Sequence, residues 1–187
     1  GMQGLKNINI YVSQLARLLE CSVKDILVSS TGVIGEQFDP NLICNKIKLL
    51  FNSKEKKLID ASKSIWTTDT FVKTAVHNIK LDNKNVKIYG FAKGSGMINP
   101  NMGTMLAYIF IDCEIARDKL KKLLSENLEE TFNSITVDSD TSTSDTLVLF
   151  SNPLKKINIK NNYKKNASCL NKVMNELSMK IITDGEG

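Results

Sequence analysis

Thr104 is the residue whose type and setting could do chemistry with the least help from others. If the peptide bond between Gly103 and Thr104 were cut, Thr104 would gain a free α-amino group. Such an amine has a pKa of about 7.7–8.0, so a useful fraction is neutral at physiological pH. It could take the proton of its own hydroxyl, which makes one residue both base and nucleophile. Gly103 would let the hydroxyl approach the preceding carbonyl. Threonine is also common at the start of a strand, so this pattern leaves a purely structural role open.

The residues available for other chemistries are few. The chain of 187 residues has one histidine, His77, which excludes a His-rich metal site and limits Ser-His-Asp catalysis. The four cysteines form no CxxC pair and fall in or beside apolar segments, so we expect buried free thiols in a reducing cytoplasm. They are Cys21, Cys44, Cys113 and Cys169. We therefore predict no metal site and no disulfide.

Charge and hydropathy argue against nucleic acid and membrane as partners. The net charge is +5, from 25 basic and 20 acidic residues, but only Arg17 and Arg117 are arginines. Nucleic-acid binding would favour arginine and exposed aromatics on a basic patch. The longest apolar run, 105–111, is far shorter than the roughly 18 residues that a membrane-spanning helix needs. We therefore expect neither nucleic acid nor a membrane as a partner.

Hydrophobic spacing predicts four helices. They are an N-terminal helix with Tyr11, Leu15, Leu18 and Leu19 on one face, a helix capped by Asp39 and begun by Pro40, a helix capped by Asp112 that extends to Leu128, and a last helix with Leu170, Val173, Met174 and Leu177 in line. Short apolar or alternating runs predict strands at 25–29, 65–69, 71–81, 86–92, 105–111 and 147–150. Residues 82–85 have the composition of a hairpin turn. Strands and helices alternate and a hairpin is present, so we predict an α/β fold, a layered sandwich of mixed β-sheet flanked by helices.

Four segments carry further candidate residues. Thr31 and Gly32 follow a predicted strand, where a hydroxyl and a backbone N–H could face one point and stabilise an oxyanion. An ordinary turn explains the same pair. Residues 67–70 and 136–146 combine hydroxyls with carboxylates, a composition that is also typical of turns. Glu186 lies between two glycines, which suits either a ligand or a loop.

Several segments, taken together and in order, resemble one known family. They are 30–36 (STGVIGE), 67–71 (TTDTF), 93–98 (KGSGMI), 100–106 (PNMGTML), 136–143 (TVDSDTST) and 184–187 (DGEG). Each segment alone would be weak. In this order they resemble the ornithine acetyltransferases, also called the bifunctional glutamate N-acetyltransferases of arginine biosynthesis.

The resemblance implies a self-cleaving fold of the N-terminal-threonine-nucleophile type. By resemblance, the chain is cut between Gly103 and Thr104, and Thr104 then carries an acetyl group from N-acetylornithine to glutamate. Some members also accept acetyl-CoA as donor, and no other cofactor is implied. Thr31 and Gly32 match the pair that stabilises the oxyanion. The matched substrate-binding residues are Thr67, Lys93, Thr104 and Glu186.

The resemblance also implies that residues 1–187 are a single domain, the central fragment of a longer acetyltransferase. Gly103 stands where the family usually has alanine, and Ser139 stands where it has glycine. Because a central fragment would lack other parts of the enzyme, an inert, uncleaved fragment is the alternative to an active enzyme. An amide hydrolase with the same architecture is disfavoured, because the loop motifs match the transferases. We expect a homo-oligomer, or association through sheet edges that absent segments would otherwise cover.

Overall fold

The computed structural model describes residues 2–33, 35–53, 57–98, 105–138 and 144–185. The chain divides into two compact units, Gly1–Lys57 and Leu58–Gly187. That the two make up a single domain stays a prediction. In the described residues, no helix is both long enough and apolar enough to cross a membrane.

The first unit is built on two helices, α1 (Met2–Leu19) and α2 (Pro40–Asn52). They pack against each other, and their buried apolar residues are Val12, Ala16 and Ile47. The predicted cap of α2 is confirmed: the Asp39 carboxylate accepts the N–H of Asn41 at 2.9 Å, and Pro40 begins the helix. Proline is tolerated there because the first N–H groups of a helix have no intrahelical partner.

The strand predicted at 25–29 is wrong. Val23–Asp25 is a 3-10 turn, and Asp25 closes a capping box with Ser22. The apolar residues that follow remain exposed, with Leu27 at 69% and Val28 at 39%. A strand needs a partner for its backbone N–H and C=O groups, and the described part of this unit contains no other strand. The apolar run was therefore misread as a buried strand.

The second unit contains a four-stranded mixed sheet. Its strands are β1 (Lys73–Leu81), β2 (Lys84–Lys93), β3 (Leu106–Ile111) and β4 (Thr146–Ser151), in that spatial order. β1, β2 and β3 pair antiparallel, whereas β3 and β4 pair parallel. The hairpin between β1 and β2 turns at Asp82 and Asn83, whose φ angles of 46° and 59° suit a two-residue primed turn. The α/β class and the mixed sheet are confirmed.

Three helices flank this sheet: α3 (Leu58–Ser64), α4 (Arg117–Leu128) and α5 (Ile159–Thr183). α5 packs on β1 and β2 and buries Leu170, Val173, Met174 and Leu177, the face that the sequence predicts. Ile88, Ile109 and Ile111 of the sheet belong to the same core. The opposite face of the sheet carries rings in contact, including Phe91 with Tyr108 and Phe110 with Phe150.

Three other predictions need correction. Residues 65–69 form turns rather than a strand, because Asp69 folds back to accept the N–H of Thr67 at 3.3 Å. α4 begins at Arg117 rather than after Asp112, whose carboxylate instead accepts from Lys155 and Asn152. The thiols of Cys113 and Cys169 are buried as predicted, but Cys21 is exposed and Cys44 is half-buried.

Candidate active site

Lys93 is the last residue of β2, and its side chain is buried beside the start of β3. The residue lies opposite Leu106 in the sheet register and is only 1% exposed. Its ammonium donates to the Thr67 hydroxyl at 3.2 Å. Thr67 itself is exposed. The pair therefore presents a cation and a hydroxyl at one end of the sheet.

The next residue, Gly94, fixes the turn that follows Lys93. Its φ of 150° is a backbone conformation that residues with a Cβ rarely adopt. Its N–H donates to Asp69 Oδ1 at 2.8 Å. The loop that carries Thr67 is thus attached directly to the end of β2.

A second lysine, Lys73 at the start of β1, joins two carboxylates inside the fold. Its ammonium is 2.5 Å from Asp69 Oδ1 and also contacts Asp184 Oδ2, with all three side chains almost fully buried. Asp184 in addition accepts the N–H and the hydroxyl of Thr70. We call Asp69, Thr70, Lys73 and Asp184 the Lys73 cluster. It links the loop before β1 to the end of α5.

The electrostatics of the Lys73 cluster are those of a satisfied ion network. Burial alone would raise the pKa of Asp184, but hydrogen bonds from Lys73 and Thr70 more than offset it, and the pKa is lowered. Each carboxylate has at least one cationic and one backbone donor. Buried charges persist in proteins under these conditions.

Two more loops join the same end of the sheet. The hydroxyls of Thr68 and Ser95 are 2.6 Å apart. The Asp138 carboxylate accepts the N–H groups of Met97 and Ile98, the latter at 2.8 Å. The segments at 67–70, 93–98 and 136–138 are therefore connected by hydrogen bonds.

Asp145 immediately precedes β4, and its side chain contacts Met105, the residue before β3. Its Oδ1 accepts the N–H of Met105 at 2.7 Å. Burial raises the pKa of Asp145 to about 6, although that N–H and the charge of Lys93 act in the opposite direction. Burial likewise lowers the pKa of Lys93, against the charges of Asp69 and Asp145. We call Thr67, Lys93, Met105 and Asp145 the Lys93 cluster.

The ammonium of Lys93, the hydroxyl of Thr67 and the desolvated carboxyl of Asp145 thus belong to one end of the sheet. A profile of the ArgJ family matches residues 1–187. The chain belongs to the ArgJ family. The resemblance seen in the sequence motifs is thereby confirmed.

Individual family members cover the chain throughout. It is 42% identical over 188 residues to the arginine biosynthesis bifunctional protein ArgJ of Ruegeria pomeroyi, covering 100% of this chain and 46% of that protein. It is 37% identical over 193 residues to the protein of the same name in Bartonella henselae, covering 100% and 47%. It is 38% identical over 191 residues to the glutamate N-acetyltransferase of Methanocaldococcus jannaschii, covering 100% and 47%. The chain spans about half the length of these relatives.

The predicted site residues fall into three groups. Thr67 and Lys93 lie together in the second unit. Thr31 and Gly32 lie in the first unit, where Thr31 is half-buried and Gly32 is exposed with a φ of 150°. The remaining predicted residues, Gly103, Thr104 and Glu186, lie outside the described residues, although their neighbours Met105 and Gly185 are described.

Sequence reasoning missed the carboxylates and the lysine that organise this site. Asp69 and Asp184 stand inside matching motifs, but no role was predicted for them. Lys73 was missed because a lysine in a strand usually faces solvent. Asp145 could have been noticed, since it immediately precedes a short apolar strand parallel to the one that follows Thr104.

A groove elsewhere on the sheet is separate from this site. It measures about 410 Å³ and is lined by Leu58, Val76, Lys87, Tyr89 and Asp112. None of these is a predicted site residue, and Lys87 and Tyr89 lie further down β2 from Lys93. Among the described residues, no group of three or more His, Cys, Asp or Glu side chains is placed to hold a metal ion.

Proposed function

We propose that the protein transfers an acetyl group from N-acetylornithine to glutamate in arginine biosynthesis, through an acetyl ester on Thr104. It is a self-cleaving enzyme of the N-terminal-threonine-nucleophile type, cut between Gly103 and Thr104. The observation that carries this proposal is the Lys93 cluster, which includes Met105, the residue between Thr104 and the start of β3. Relatives bearing the names bifunctional ArgJ and glutamate N-acetyltransferase support the choice of reaction.

The Lys93 cluster suits an amino-acid substrate. N-acetylornithine and glutamate both carry a carboxylate, for which the buried Lys93 ammonium is a point-charge partner. The hydroxyl of Thr67, an exposed residue, is 3.2 Å from that ammonium and can donate to the same carboxylate. Glu186 is proposed to contribute to substrate binding, since it follows Asp184 of the Lys73 cluster by two residues.

The reaction proceeds in two half-steps. In the first, the α-amino group of Thr104 takes the hydroxyl proton, the oxygen adds to the acetyl carbonyl, and ornithine leaves with that proton. In the second, the glutamate amine attacks the acetyl ester, the ester C–O bond breaks to release N-acetylglutamate, and the proton lost by that amine passes to the Thr104 oxygen. Thr31 and Gly32 are proposed to donate to the oxyanion formed in both half-steps. No cofactor is required, although acetyl-CoA can replace N-acetylornithine as donor in this scheme.

The test is an acetyl-transfer assay with the protein expressed from its complete reading frame. Wild type should form N-acetylglutamate from N-acetylornithine and glutamate with ping-pong kinetics. Thr104→Ala should abolish turnover, whereas Thr104→Ser retains a hydroxyl and should keep measurable activity. Full activity in Thr104→Ala would contradict the nucleophile. Repeating the assay with acetyl-CoA as donor tests the second substrate.

The alternative, an inert fragment, is tested by assaying the 187 residues alone beside the complete protein. An inert fragment should stay uncut and form no N-acetylglutamate. The complete protein should be cut and should form N-acetylglutamate. We also propose self-association, because β1 and β4 are the edges of the described sheet. Light scattering of both samples measures it, and monomers throughout would contradict it.

A further inference from the structure

Asp145 carries a desolvated carboxyl that the proposed acetyl transfer does not use. Its Oδ1 accepts the N–H of Met105 at 2.7 Å. Its Oδ2 is buried, and within the described parts of the chain it accepts no hydrogen bond. A buried carboxylate oxygen without a donor is costly, and protonation of the carboxyl removes that cost. Asp145 is therefore suited to change its charge without a change in the fold.

The strand register relates this carboxyl to Lys93. Lys93 lies opposite Leu106 of β3, and Leu106 lies opposite Thr146 of β4, the residue that follows Asp145. The N–H that Asp145 accepts belongs to Met105, the residue before Leu106. The charge of Lys93 acts on the pKa of Asp145, and the charge of Asp145 acts on the pKa of Lys93. The ammonium and the carboxyl therefore form one electrostatic pair.

The other charges that act on Lys93 come from the Lys73 cluster. They are the carboxylate of Asp69 and the ammonium of Lys73, which are paired with each other at 2.5 Å. Asp145 has no such partner in hydrogen-bonding contact within the described residues, and burial raises its pKa to about 6, against the Met105 N–H and the charge of Lys93. The charge of Asp145 therefore changes close to neutrality.

Resting on the proposed function, we propose that Asp145 is a positioning residue whose charge sets how tightly Lys93 holds the substrate carboxylate. When Asp145 is ionised, its charge offsets that of Lys93, and the substrate carboxylate meets a like charge nearby. When Asp145 is protonated, the Lys93 ammonium attracts the substrate carboxylate without that opposition. Charges interact several-fold more strongly in a protein than in bulk water. The protonated form therefore binds the substrate more tightly.

Binding of the substrate and protonation of Asp145 are then coupled, and such coupling is reciprocal. A bound carboxylate should raise the pKa of Asp145 above its value of about 6 in the free protein. Binding near neutrality therefore takes up a proton. The affinity is greatest below pH 6 and is lost as the pH rises through the higher pKa of the bound state.

The test is calorimetric titration with L-glutamate of the protein from the complete reading frame, at pH 5.5 and pH 7.5. L-glutamate has a carboxylate and cannot react without an acetyl donor. Wild type should bind it about fivefold more tightly at pH 5.5 than at pH 7.5. Buffers of different ionisation enthalpy should reveal proton uptake on binding.

Three variants assign this pH dependence. Asp145→Asn cannot ionise, so it should bind with the pH 5.5 affinity of wild type at both pH values. Asp69 still faces Lys93 in that variant and favours its charged form. Asp145→Glu keeps a titrating carboxyl and should keep a pH dependence. Asp112→Asn changes a carboxylate beyond the other end of β3, and as the matched control it should behave like wild type.

A purely structural Asp145 predicts other results. Asp145→Asn would then bind more weakly at both pH values, or would keep the pH dependence of wild type, and either result would overturn the proposal. Wild-type binding without proton uptake would also overturn it, and this measurement decides the matter if Asp145→Asn fails to fold. Lys93→Met tests the proposed function separately. If it binds L-glutamate as tightly as wild type, or if wild type does not bind at all, the Lys93 cluster is not the substrate site.

Discussion

Lys73 and Lys93 are both buried at the same end of the sheet, but they contact different groups. Lys73 touches two carboxylates, and the carboxylates are themselves held by backbone and hydroxyl donors. Lys93 donates to the hydroxyl of the exposed residue Thr67, and the Asp145 carboxyl accepts a backbone N–H. The Lys73 cluster lowers the pKa of its Asp184, whereas the pKa of Asp145 in the Lys93 cluster is raised. We infer that the first cluster holds the loops together and that the second is prepared to act on a ligand.

The largest effect should come from Lys73→Met. Removing the ammonium leaves Asp69 and Asp184 buried without their cation, which should lower the free energy of unfolding of the chain by about 3–5 kcal/mol. Urea denaturation followed by circular dichroism measures the change. Lys155→Met, which breaks the half-exposed pair with Asp112, is the matched control and should cost about 1 kcal/mol or less. Equal losses in the two variants would remove the distinction between a buried and a half-exposed ion pair.

Lys93→Met should separate function from stability. The KM for the carboxylate substrates should rise roughly 10- to 100-fold, because a hydrogen bond to a charged group is worth about 1.5–3 kcal/mol. The free energy of unfolding should change by less than about 1 kcal/mol, since loss of a buried ammonium also removes its desolvation cost. Steady-state kinetics and urea denaturation measure the two quantities.

Lys180→Met is the control for the Lys93 variant. Lys180 also donates to the sheet, through the Thr74 carbonyl, but it lies on α5 and is half-exposed. Its loss should leave the KM unchanged. A KM increase of the same size in both variants would mean that Lys93 does not bind substrate.

The smallest effect should come from His77, the one histidine of the chain. His77 contacts Glu176 at 2.9 Å, and both side chains are about one-third exposed, at 35% and 38%. His77→Asn should change the free energy of unfolding by about 0.5 kcal/mol and leave kcat within about twofold. Acetyl-transfer kinetics check it, and a large loss of kcat would show that the chemistry depends on a histidine after all.

Local patterns predicted the regular parts of this fold well. The helix capped by Asp39, the β1–β2 hairpin and the apolar face of α5 all depend on residues close in sequence. The strand predicted at 25–29 failed because strand formation needs a pairing partner, which a local run does not reveal. The start of α4 failed because Asp112 is engaged by Lys155, a residue distant in sequence.

The site was predictable in its residues but not in its organisation. Thr67 and Lys93 were predicted by resemblance, and the structure brings them together. Lys73 contacts Asp184, and Met105 contacts Asp145; both contacts join residues that are distant in sequence. Only the contact of Lys73 with Asp69 joins close neighbours. Neither periodicity nor composition contains that information, so only the fold reveals which carboxylate is paired and which is desolvated.

The central claim is that Thr104 becomes the first residue of a new chain. Intact-mass measurement of the protein from its complete reading frame, with N-terminal sequencing of the products, tests it directly. Wild type should give two polypeptides, one beginning at Thr104, and Thr104→Ala should remain a single chain. A single uncut wild-type chain, or cleavage that persists in Thr104→Ala, would contradict the account.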